Sequence, residues 1–244
     1  MCRRIWGYSI ILLLVMTGLC MVMIKNADPA GSEEAEIEKM LVKSLAGQES
    51  LIDYAADDQI IYAIINSSGN REFGDFFVVF RKRSAISYER EYSNDFSDLK
   101  PWKLELADVD GDGVTDILTA VRKTTHYDVI EKNRFFVFDY TEGKLVKKWT
   151  GSQIAGTWKD FYTKDFLPMK GEEVLFISRT EEGRERLGIY YWFQFGFLLL
   201  AQSEDYETIE GIRFTEENQL QMNCSKDQEK WIDITVKNGK ILRE

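Results

Sequence analysis

Asp108-Val109-Asp110-Gly111-Asp112-Gly113-Val114-Thr115-Asp116 runs without a break into Ile117-Leu118-Thr119-Ala120-Val121. The first stretch crowds four carboxylates into nine residues; the second is apolar and β-branched. Carboxylates a few ångströms apart repel unless a cation neutralises them. Hard oxygen ligands on a short loop suit Ca²⁺, and Gly111 and Gly113 permit the backbone angles of a tight wrap. An EF-hand also begins Asp-x-Asp-x-Asp-Gly, but it needs a carboxylate at the twelfth position and a helix on each side. The twelfth position here is Thr119, and Asp116–Val121 reads as a strand. The expected metal ligands are therefore the side chains of Asp108, Asp110, Asp112 and Asp116 and the backbone carbonyl of Val114, holding a structural Ca²⁺.

Working outward from this loop, strand-like runs recur. Gln59–Ile65, Phe76–Phe80 and Ile86–Tyr92 form one set. Asp116–Val121, Phe135–Tyr140 and Leu145–Trp149 form a second, with the Glu142-Gly143 turn between its last two runs. Glu173–Ile177, Ile189–Phe193 and Leu198–Ser203 form a third, and Gln219–Asn223, Trp231–Val236 and Gly239–Leu242 a shorter fourth. Trp102–Leu106 and Trp158–Tyr162 add a strand ahead of the second and third sets. A period of about 45–58 residues with three or four strands per unit is the mark of propeller blades. The expected fold is mainly β: a β-propeller-like array of about four antiparallel blades over residues 51–244.

Leu106–Leu118 resembles the calcium loop of FG-GAP/VCBS repeats, found in integrin α-subunit propellers and many exported bacterial proteins. In those repeats Asp-x-Asp-x-Asp-Gly-x-x-Asp joins two strands of a blade. The resemblance assigns Asp108, Asp110, Asp112, Val114 and Asp116 to the metal and makes Gly113 the family glycine. Only the second set carries the whole loop.

The N-terminus differs in texture. Ile5–Ile24 is uncharged, about 20 residues, enough to span a bilayer as a helix. Arg3 and Arg4 precede it, which places residues 1–25 as a cytoplasmic stub and signal-anchor with the bulk of the chain outside the cell. A cleaved signal peptide or a lipidated Cys20 fits less well: Leu19 stands where a small residue is wanted, and no small-x-small cleavage site follows. Residues 26–50 read as a linker and an amphipathic helix, with Ile37, Met40, Leu41 and Leu45 on one stripe.

Composition excludes several classes. All 41 acidic residues follow Lys25, and three of the 31 Lys and Arg lie at or before it, so the remainder carries about −13. Such a surface repels nucleic acid. His126 is the single histidine, and Cys224 the single cysteine beyond the N-terminal stretch, which removes histidine triads, Cys/His zinc sites and internal disulfides. The acidic pairs Glu172-Glu173 and Glu181-Glu182 read as solvated turns, and the aromatic run Tyr190–Phe197 as a buried strand. The resulting expectation is a non-catalytic, membrane-anchored, extracellular calcium-binding module that engages a protein or glycan. The alternatives are an assembly subunit of a cell-envelope complex and an exported hydrolase.

Overall fold

The structure, a computed structural model, describes residues 29–69, 72–84, 87–151, 153–224 and 230–244. The expected anchor lies in residues 1–28, outside the described residues. Among those described, no helix is long and apolar enough to cross a membrane. Chain contacts separate a short N-terminal unit ending at Gly47 from a β unit, Gln48–Glu244. In the N-terminal unit, α1 (Pro29–Ser44) starts four residues earlier than the acidic run at Glu33 implies. Proline is favoured at a first helical position, where its missing N–H has no helical partner to lose. The Ser44 hydroxyl donates to the Leu41 carbonyl at 2.7 Å, and Gly47 turns the chain at φ +58°.

The β unit is a succession of four-stranded antiparallel meanders. The first is β1 (Ser50–Ala56), β2 (Ile60–Asn66), β3 (Phe76–Ser84) and β4 (Ser87–Asp95). The second is β5 (Pro101–Ala107), β6 (Asp116–Thr125), β7 (Asp128–Thr141) and β8 (Lys144–Gly151). The third is β9 (Thr157–Lys164), β10 (Glu173–Arg179), β11 (Glu185–Phe193) and β12 (Gly196–Gln202). The fourth is β13 (Gly211–Phe214), β14 (Leu220–Asn223), β15 (Trp231–Lys237) and β16 (Lys240–Arg243). A single parallel pairing, Gln202 with Lys240, joins the last two into one eight-stranded sheet.

Burial explains the sequence texture. Strands β2, β6 and β10 are buried along most of their length because both of their faces pack on neighbours, so they read as unbroken apolar runs. The fourth strand of the first meander, Ser-Tyr-Glu-Arg-Glu-Tyr-Ser-Asn-Asp, is an exposed edge and carries the charges that discourage pairing with another chain. Three cores join consecutive meanders. Tyr62, Ile64, Phe77 and Val79 meet Leu104, Ile117 and Phe138. Leu118, Phe135 and Val137 meet Trp158, Phe161 and Phe176. Leu175, Ile177, Leu187 and Ile189 meet Ile212, Leu220, Met222 and Ile234. Phe135 stands edge-on to Phe161 at 5.0 Å and to Phe176 at 5.1 Å. Each such buried ring contributes about 1.5–3 kcal/mol over an exposed one. None of these clusters, drawn from the described residues, joins the fourth meander to the first.

Two-residue turns set the hairpin registers. Glu142 and Gly143 both have positive φ between paired Thr141 and Lys144, and Asn238 and Gly239 repeat this between Lys237 and Lys240. This is the hairpin turn whose twist matches its strands.

Candidate metal centre

The Asp108–Asp116 loop joins β5 to β6. Its turns are built by its own carboxylates. Asp108 accepts the N–H of Asp112 at 3.0 Å and of Gly113 at 2.8 Å; Asp110 accepts that of Asp112 at 3.2 Å. Asp116 opens β6, fully buried, and accepts the Val109 N–H at 3.1 Å. Carboxylate oxygens of Asp108, Asp110 and Asp116 lie within 4.8 Å of one another, a group able to hold a metal ion. Of the five expected ligands, then, three converge. Asp112 is exposed and its Oδ1 accepts the Val114 N–H at 2.8 Å; Val114 is exposed as well.

Sequence reasoning missed two partners of the loop. The first is Lys148 on β8. Its ammonium lies 2.6 Å from Asp116 and 2.7 Å from Asp110, with Asp139 at 3.8 Å. Burial pushes the Asp116 carboxyl up, and its hydrogen bond with Asp139 adds to this, against the pull of Lys148. Burial also pushes Asp110 up, but the Lys148 contact and the Asp112 N–H outweigh it and leave it below its ordinary value. Lys148 itself would lose its proton more readily on burial; Asp110 and Asp116 reverse this and hold it charged. Lys148, with Lys170 also acting on Asp110, faces four carboxylates, counting Asp108 and Asp139, so negative charge remains in surplus. Oxygen-only donors with surplus negative charge fit a hard divalent cation.

Glu172, in the connection that leads into β10, is the second. The Asp108 N–H donates to the Glu172 carboxylate at 3.0 Å, and the Glu172 N–H donates to the Asp108 carbonyl at 2.9 Å. Here backbone comes so close that a Cβ on Gly171 would sit 2.3 Å from the Val109 carbonyl oxygen. Glu173 corrects the solvated-turn reading: it is fully buried at the start of β10 and accepts the N–H groups of Phe166 and Leu167, each at 3.3 Å. Burial raises its pKa above the ordinary carboxylate range. Asp116 and Glu173 thus hold the same place in consecutive meanders. Asp57 closes the first inter-strand loop by accepting the Gln59 and Ile60 N–H groups, and Thr215 closes the fourth by accepting that of Gln219. A buried or loop-closing oxygen at each strand entry was the recognisable signal.

Beside the loop opens a cleft of about 430 Å³, lined by Asp110, Asp112, Lys170, Tyr191, Trp192 and Phe193, among others. Tyr190–Phe197 is therefore only partly a buried strand: Phe193 is 50% exposed and Phe195 82% at the β11–β12 turn.

No known family model matches the chain, and no curated protein resembles it in sequence. Among solved structures, it is similar to two proteins described as putative 6-phosphogluconolactonases. For the one from Bacteroides uniformis ATCC 8492 the TM-score is 0.51 at 12% identity, covering 80% of this chain and 53% of that one. For the one from Bacteroides fragilis NCTC 9343 the TM-score is 0.37 at 10% identity, covering 80% and 79%. The chain spans about half the length of the first. That likeness is one of fold. It corrects the expectation of a non-catalytic FG-GAP/VCBS calcium-binding module, and with it the exclusion of an enzyme, because the solved fold it points to carries an enzyme's description. The membrane part of that expectation has no helix among the described residues to support it, and the three-carboxylate group admits a metal ion without identifying calcium.

Proposed function

We propose that this chain is a hydrolase of small lactones or related esters, working in the cleft beside the Asp108–Asp116 loop. The observation that carries this reading is the meeting of two features at Asp110. It belongs to the three-carboxylate group, and it lines a cleft whose other walls are Lys170, Tyr191, Trp192 and Phe193. Fold likeness to a protein described as a phosphogluconolactonase supports the substrate class. The four meanders are read as an open propeller-like array, with the cleft between its second and third members.

Asp108, Asp110 and Asp116 would hold the cation, calcium by its donor chemistry. When bound, it supplies polarisation of an ester carbonyl and a more acidic water. The chain's own groups orient the substrate. Aromatic faces at Tyr191 and Trp192 suit the flat apolar side of a sugar-like ring. Lys170 presents a positive charge at the mouth. Lys148 holds Asp110 and Asp116 in place and keeps Asp110 ionised.

The test is hydrolysis of glucono-δ-lactone and 6-phosphoglucono-δ-lactone, with 1 mM Ca²⁺ or with EGTA, for the full chain and for Asp110→Asn. These lactones open spontaneously, so the reading needs a rate above buffer that the variant loses. Rates equal to buffer for both lactones in both conditions overturn it.

A further inference from the structure

Every meander ends on an outer strand. An open strand edge presents unpaired N–H and C=O groups that invite another strand, and charged side chains are the usual guard. Strand β4 carries Glu89, Arg90 and Glu91. Strand β8 carries Lys144, Lys147 and Lys148, and β16 carries Lys240 and Arg243. Strand β12 reads Gly-Phe-Leu-Leu-Leu-Ala-Gln and carries no charge. One of its edges is taken by β11. On the other, pairing among the described residues is confined to Gln202, which faces Lys240 and donates its N–H to the Gly239 carbonyl at 3.2 Å. Tyr190 pairs with Leu199 and Ile189 with Ala201, so Leu200 forms a bulge that ends the regular stretch. Phe197–Leu199 is therefore an open, uncharged edge. Leu198 is 46% exposed and Leu199 48%, on opposite faces of the sheet because neighbours in a strand alternate. The turn that leads into them adds the exposed rings of Phe193 and Phe195.

We infer that two copies of this chain associate through β12, antiparallel about a two-fold axis at Leu198. That axis sets Leu198 against its own copy and Phe197 against Leu199 across the axis. A two-fold lays a strand against itself, so a strand of one charge meets that same charge. Strand β8 would bring lysines together, which destabilises a strand pair. Strand β12 brings no charge to the axis. This selects the second copy as occupant in a chain of net charge −10, whose copies repel each other over most of their surface. Pairing supplies partners to the open backbone groups and covers Leu198 and Leu199 on both faces. The association is independent of the hydrolase reading.

Sedimentation velocity of the full chain beside a Leu198→Lys/Leu199→Lys variant tests it. Expected is a dimer whose association weakens about tenfold or more when lysines oppose one another across the axis. Cross-linking fixes the register. With Cys2, Cys20 and Cys224 each replaced by Ser, Leu198→Cys should oxidise to a covalent dimer, since directly opposed residues stand about 4.5–5.5 Å apart between Cα atoms, within disulfide reach. Tyr127→Cys, at a position 96% exposed on the β6–β7 turn, should not. A monomer at every concentration reached, a dimer indifferent to the lysines, or equal cross-linking at both positions overturns the inference. Thermal unfolding checks the lysine variant; if it is unfolded, the two cysteine variants decide alone.

Discussion

The Lys148 ammonium stands 2.6 Å from Oδ1 of Asp116, a fully buried carboxylate, while its other contact reaches Asp110 at 2.7 Å. The loop therefore carries a built-in counter-ion from a strand 32 residues further along. Replacing Lys148 by Met should leave buried like charges without a partner and destabilise the β unit by about 3 kcal/mol. Added Ca²⁺ should recover part of the loss and raise the melting temperature more in this variant than in the parent. Melting curves with and without calcium read both effects; a variant as stable as the parent would mean that Lys148 does not neutralise the loop.

Asp110 and Asp112 should behave differently although they are two residues apart. Calcium at 1 mM, with a dissociation constant of about 10⁻⁴–10⁻³ M, stabilises by about 0.4–1.4 kcal/mol. Asp110→Ala should abolish that response. Asp112→Ala should keep it, losing only the bond to the Val114 N–H. The same melting experiment separates them.

Gly171 and Gly113 make a second contrast. Both have positive φ, +80° and +86°. A Cβ on Gly113 meets nothing within 4 Å, whereas on Gly171 it strikes the Val109 carbonyl. Gly113→Ala should cost about 1 kcal/mol of backbone strain, and Gly171→Ala about 2 kcal/mol or more through the added displacement. Chemical denaturation of both variants measures the difference.

Glu185 sets an acid limit. It is buried and accepts the Ile209 N–H at 2.7 Å, with Lys159 at 2.6 Å and Arg179 at 3.3 Å. Burial alone pushes its pKa up, but the Ile209 N–H, Lys159 and Arg179 outweigh this and hold it below normal. A carboxyl lowered in the folded state contributes stability above its unfolded pKa, about 4.5, and loses it as the pH falls through the folded value. Glu185→Gln should cost about 2 kcal/mol at neutral pH, and the gap to the parent should narrow below about pH 4.5. A constant gap from pH 7 to 3 would contradict this.

Most strands were legible because the inner ones are buried on both faces and read as apolar runs. The two omitted ones lack that mark. Ser50–Ala56 is only half-buried throughout, and Gly211–Phe214 has four residues. The carboxylate loop was legible from its own spacing, but its partners were not. Lys148 reaches it through the β7–β8 hairpin, and Glu172 through packing of the next meander. Neither is adjacent in sequence, and a lone lysine in Lys144–Lys148 differs in nothing from its neighbours until register is known.

Asp108 is also clasped by backbone to Glu172, two residues beyond Lys170 of the cleft. A cation drawn to Asp108 and a molecule leaning on Lys170 would pull on the same short span of chain. Thermodynamic reciprocity then applies: whatever factor the cation puts on the molecule's affinity, the molecule returns to the cation's. A loop built to settle its own charge would thereby make each occupant a sensor of the other.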